Sequence, residues 1–113
     1  SSASARFLSE RFPSSVPKSE IALPDTAAEL LLQYDEACEQ LEAVIQQKQQ
    51  AENRLKQMMG EHEVGTSGNR IITWKNVSQE RLDSKTLKAE HPALYQKYAN
   101  KTSYRRFFIR EAV

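Results

Sequence analysis

At 113 residues, 39% hydrophobic and with a mean hydropathy of −0.68, the chain is long enough for one small module with an appendage and too polar for a fully compact globule. Its formal net charge of +1 excludes a strong free-standing binder of polyanions. The charge is uneven: residues 1–60 hold six Lys/Arg against nine Asp/Glu, net −3, and residues 61–113 hold ten against six, net +4, so a nucleic acid would favour the second half.

The single cysteine, Cys38, cannot form an intrachain disulfide and points to a reducing compartment. No apolar run reaches the ~18 residues of a membrane span, so a membrane is not an expected partner. The polar start SSASARFLSER has no signal-peptide core. The chain does not open with Met, and a processed or excised fragment is expected.

Residues 1–24 read as a connector. A short helix carries Phe7, Leu8 and Phe12, and an extended stretch follows, because Pro13, Pro17 and Pro24 block helical continuation. The apolar cluster is expected to dock on something outside the chain. Residues 25–60 predict one long helix, with Thr26 and Glu29 at capping-box spacing, Asp25 as the competing cap, and Gly60 as a left-handed C-cap.

Apolar positions in that helix recur at alternating spacings of four and three. Tyr34, Leu41, Lys48 and Leu55 form one seam set, and Leu30, Ala37, Val44, Ala51 and Met58 the other. Leu31, Cys38, Ile45 and Met59 widen the stripe. Such a heptad seam predicts a coiled coil, so Leu30, Tyr34, Ala37, Leu41, Val44, Ile45, Lys48, Leu55 and Met58 are the expected self-association residues. Lys48 would weaken the pairing and select its register or orientation.

Residues 61–113 predict a small α+β module. Thr66-Ser-Gly-Asn69 joins two strands in a hairpin, with Ile72 and Trp74 on one face and Ile71, Thr73 and Lys75 on the other. Asp83 or Ser84 caps a short helix, and Pro92 opens another. KTSYRRFFIR, residues 101–110, is expected to close the sheet, with Phe107 and Ile109 inward and Tyr104, Arg106, Phe108 and Arg110 outward. The fold class is thus α+β: a long coiled-coil-like helix, then an antiparallel β-β-α-α-β module.

Candidate chemistry is sparse. Asp83-Ser84-Lys85 has the D-x-K form of a nuclease half-motif, but its place at a helix start reads as a cap. Glu61, His62, Glu63 and His91 are spread over separate elements and make no zinc site. Cys38 on a helix face reads as a small hydrophobe without a base, and three glycines cannot form a phosphate loop. No catalytic or metal-binding residue is assigned. Arg70, Lys75, Tyr104, Arg105, Arg106 and Arg110 are the candidate DNA contacts, by stacking and phosphate binding. The bland reading has the arginines covering apolar surface and pairing with Glu80, Asp83 or Glu90.

From Ile72 onward the chain resembles the C-terminal region of YqaJ-type phage recombinases, phage-type endonucleases related in fold to lambda exonuclease. The residues that carry the resemblance are Trp74-Lys75, Arg81-x-Asp83-x-Lys85-x-Leu87-Lys88, Pro92, Tyr95-x-Lys97-Tyr98 and Ser103-Tyr104-Arg105-Arg106-Phe107. The Gln/Glu/Lys-rich helix before them stands where the family has its charged helix, and the Phe7–Pro24 stretch resembles the connector leaving the nuclease domain.

The resemblance implies a restriction-enzyme-like nuclease core in which an Asp and a Glu-x-Lys bind Mg²⁺. This sequence contains no Glu-x-Lys, so that core and its Mg²⁺ are expected upstream, and this chain by itself is no enzyme. It is expected to be a non-catalytic accessory module of a phage exonuclease or endonuclease in homologous recombination. As such it would self-associate as a homo-oligomer and contact DNA in the bacterial cytoplasm, encoded by a phage or prophage. The competing expectation is a docking module for a single-strand annealing protein or for the parent nuclease domain, without nucleic-acid contact.

Overall fold

A computed structural model describes residues 2–112. In chain order it contains α1 (Ser2–Arg11), α2 (Thr26–Met59), β1 (Val64–Ser67), β2 (Arg70–Thr73), α3 (Ser84–Glu90) and α4 (Pro92–Tyr98). The mixed α+β class stands. The chain forms two compact units. One is Ala22–Glu80; the other is built from the chain on either side of it, up to Ile21 and from Arg81.

In the first unit, α2 runs for 34 residues, about 51 Å at 1.5 Å per residue. Proline-free sequence from Asp25 onward lets it extend, and Gly60 ends it with φ 57° and ψ −121°, a backbone open to glycine but outside the left-handed helical cap expected of it. The expected capping box is absent. Asp25 is itself in right-handed helical geometry and makes no side-chain cap. The first amides are met by backbone instead: Ala27 N–H donates to the Pro24 carbonyl at 2.9 Å and Ala28 N–H to that of Asp25 at 3.1 Å.

The hairpin pairs Val64 with Thr73, Gly65 with Ile72 and Ser67 with Arg70. Gly68 takes φ 57° while Asn69 keeps a negative φ, the pattern of a two-residue type II′ turn. The sheet folds back on the last turn of α2. A Cβ on Gly65 would lie 3.4 Å from Met59 Cγ, and Met59, 7% exposed, is the one buried residue among those described. Trp74, on the same face as Ile72, has the Lys56 ammonium 5.2 Å from its ring centroid.

In the second unit, α3 and α4 form a helical corner. Its half-buried residues are Leu87 and Tyr95, and Lys88 sits 5.4 Å from the Tyr95 ring. Pro92 occupies the first turn of α4, as its missing N–H favours.

The expected third strand does not form: the described sheet has two strands, and residues 101–110 are without regular structure. An alternating sequence makes a strand only where a sheet edge supplies hydrogen bonds, and among the described residues this segment has no strand partner. Its faces therefore do not sort. Phe107, expected inward, is 81% exposed.

Candidate functional site

The two candidate surfaces have different standing in the structure. Along α2, none of the seam residues Leu30, Tyr34, Ala37, Leu41, Val44, Ile45, Lys48, Leu55 and Met58 is buried. Leu41, mid-seam, is 60% exposed and Tyr34 49%. From Asp35 onward the opposite face is mostly polar, and in its middle it is partly satisfied along the helix itself. Gln46 Nε2 donates to Glu42 at 3.4 Å, and Gln49 Nε2 to Asn53 Oδ1 at 2.9 Å and Glu52 at 3.0 Å. The apolar stripe is thus open to solvent along the helix. At its C-terminal end the stripe opens into a groove of about 340 Å³, where Leu55 and Met58 meet Val64 and Ile72 of the hairpin.

The six candidate DNA residues divide between the two units. Arg70 and Lys75 belong to the hairpin unit, at the start of β2 and just past its end. Tyr104, Arg105, Arg106 and Arg110 belong to the irregular C-terminal segment. Arg105 Nη1 donates to the Phe12 carbonyl at 3.2 Å, placing a cation at the end of α1 where the helix dipole favours it. Around this bond Leu8, Phe12 and Pro13 line a groove of about 520 Å³ with Tyr104 and Phe107. The apolar cluster of α1 thus finds part of its dock in its own chain, 93 residues away. Sequence periodicity carries no signal for such a contact.

Arg106 lies 5.4 Å from the Phe108 ring centroid, and Arg110 Nη1 donates to the Glu111 carbonyl at 2.9 Å. The expected pairing of these arginines with Glu80, Asp83 or Glu90 is not made. Among the described residues the ion pair within 4 Å is Arg6–Glu10. Arg106 and Arg110 therefore carry charge that no carboxylate of the described residues neutralises.

Asp83 is a helix cap. Its Oδ1 accepts from Thr86 N–H at 3.1 Å and its Oδ2 from Thr86 Oγ1 at 2.6 Å, and these bonds hold its carboxyl below the ordinary carboxylate range. Both oxygens are engaged, and no three His, Cys, Asp or Glu side chains among the described residues are grouped to hold a metal ion. The described residues do not fit the Mg²⁺ site that the resemblance implies for a nuclease core. His62 Nδ1 instead lies 3.1 Å from the Met59 carbonyl at the end of α2.

A pH dependence follows for α3. With the folded pKa lowered, the ionised cap stabilises the helix fully above the ordinary carboxylate pKa, and this is lost as pH falls through the lowered value. Amide chemical shifts of residues 84–90 are expected to move toward coil as pH falls from neutral to about 2. In Asp83→Ala they should be coil-like throughout. Wild-type shifts that stay constant over that range contradict the cap.

No helix among the described residues is long and apolar enough to cross a membrane. The described residues form one unit of a long helix and a hairpin and a second unit of short helices. In sequence the chain is similar to the uncharacterised protein YqaJ of Bacillus subtilis (strain 168), with 34% identity over 111 residues. The match covers 98% of this chain, which spans 35% of the length of that relative. No family model matches the chain, and no solved structure does.

Proposed function

We propose that the chain is a non-catalytic assembly segment of a YqaJ-type phage recombinase, pairing copies through α2 and assisting DNA contact. One observation carries the reading: a 34-residue helix exposes its whole heptad seam. Pairing would hold two nuclease cores at high local concentration on one duplex, a gain that needs no new catalytic group. Light scattering over a concentration series is expected to give a mass above 12.9 kDa. A monomer at the highest concentration removes the self-association part.

For DNA, Arg106 and Arg110 are cations of the C-terminal segment that no carboxylate of the described residues neutralises, with Tyr104 exposed nearby. Fluorescence anisotropy with labelled single- and double-stranded DNA is expected to show binding at low salt that weakens steeply as salt rises. Arg106→Ala/Arg110→Ala should lower affinity roughly tenfold and reduce the salt slope by about two. Arg105 is kept in this variant, since it holds Phe12. Unchanged binding in the double variant removes these residues from the DNA surface.

A further inference from the structure

We infer that α2 pairs with a second copy of itself in antiparallel orientation, with Thr26 of one helix level with Met59 of the other. The inference rests on the self-association reading and adds its geometry.

In an antiparallel pair, each residue of one seam set faces a residue of the other set. Full overlap of the 34 residues makes one such register, and it matches large side chains with small ones. Tyr34 faces Ala51, and Met58 faces Ala27. Lys48 faces Ala37, whose methyl leaves the long side chain room to carry its ammonium out to water. At the centre Leu41 faces Val44, and Leu30 faces Leu55 toward the ends.

The parallel in-register alternative fares worse at the same positions. It sets Lys48 against Lys48, a like-charge contact in the seam, and leaves Ala37 and Ala51 facing themselves across underfilled layers.

Charge points the same way. The first half of α2 carries Glu29, Asp35, Glu36, Glu39 and Glu42 and no Lys or Arg, whereas the second carries Lys48, Arg54 and Lys56 against Glu52. Antiparallel pairing lays the acidic half of each helix along the basic half of the other. The acids sit on outer positions, so this is a field effect, screened by salt, that selects orientation more than it supplies affinity.

The groove at the hairpin gives an independent fit. It is lined by Leu55, Met58, Val64 and Ile72, and in this register the partner's Leu30 and Ala27 arrive beside Leu55 and Met58. The partner's seam thereby closes an apolar groove that a parallel partner would line with its own Leu55 and Met58. A strip about 51 Å long and 10–12 Å wide buries on the order of 1,100 Å² over two copies, above the ~1,000 Å² that specific association requires.

The test is a pair of distances in the 113-residue chain. In a Cys38→Ser background, a nitroxide is attached to Asn53→Cys or, separately, Gln46→Cys, both on the face opposite the seam. Antiparallel pairing offsets the two labels by 21 residues at position 53 and by 7 at position 46, about 32 Å and 10 Å along the axis. With the width of two helices added, dipolar spectroscopy is expected to read roughly 35–40 Å and 20–25 Å. Near-equal short distances at both positions overturn the antiparallel register while leaving self-association in place. Absence of a dipolar signal, together with a monomeric mass, overturns both.

Discussion

Leu41→Asp is expected to return the protein to a 12.9 kDa monomer under conditions where the wild type is associated. The side chain is 60% exposed in the single copy, so its own unit loses little beyond a helix-propensity difference of about 0.5 kcal/mol. Its partner in the proposed pair is Val44, next to the two-fold centre, so one substitution places two uncompensated carboxylates in adjacent central layers. Burying such a charge without a partner costs about 3–5 kcal/mol, equivalent to at least a hundredfold in the dissociation constant. Glu39→Gln, on the outer face, should leave the mass unchanged. Light scattering separates the outcomes. A Leu41→Asp variant that keeps the wild-type mass rules out this seam.

The second large effect is expected at Met59. It is the buried residue that joins the hairpin to α2, and a two-stranded hairpin is marginal in water without a surface to pack on. Met59→Ala removes the atoms that lie over Gly65 and should cost about 2 kcal/mol, the low end for Met→Ala at so shallow a site. Trp74, the only tryptophan, reports it directly: undocking frees the indole from Lys56 and shifts its emission to the red. Backbone hydrogen bonds within α2 do not depend on the hairpin, so the helical signal should persist. Gly65→Ala makes a useful contrast, because its methyl would meet Met59 at 3.4–3.7 Å, ordinary van der Waals distance, and Trp74 emission should hold. A red shift in Gly65→Ala, or none in Met59→Ala, would place the hairpin's anchor elsewhere.

The contrast between α2 and the C-terminal segment shows what kind of feature a sequence makes legible. Pro24 and Gly60 punctuate α2, Gly68 marks the turn, Asp83 caps α3 and Pro92 starts α4. Each acts through backbone geometry within a few residues of itself. The capping box at Thr26 and Glu29 failed even at that range; the helix begins instead with Ala27 and Ala28 N–H donating to the Pro24 and Asp25 carbonyls. KTSYRRFFIR has strand-like alternation, but a strand depends on an edge that only another part of the chain can bring.

The candidate surfaces were legible to different depths. Spacing alone located the seam, and its exposure in the structure turns a pattern into a surface. Among the basic residues, sequence could not separate Arg105, which holds the Phe12 carbonyl 93 positions away, from Arg106 and Arg110, whose contacts reach only Phe108 and Glu111.

Helix extent, the turn, the Asp83 cap and the heptad spacing were thus determined by the sequence itself, since they depend on near neighbours. Three matters were decided only by the tertiary structure: the docking of the hairpin on Met59, the engagement of Arg105 at α1, and the irregular course of residues 101–110. Each depends on which distant backbone or side chain arrives within a few ångströms, and local periodicity does not encode that.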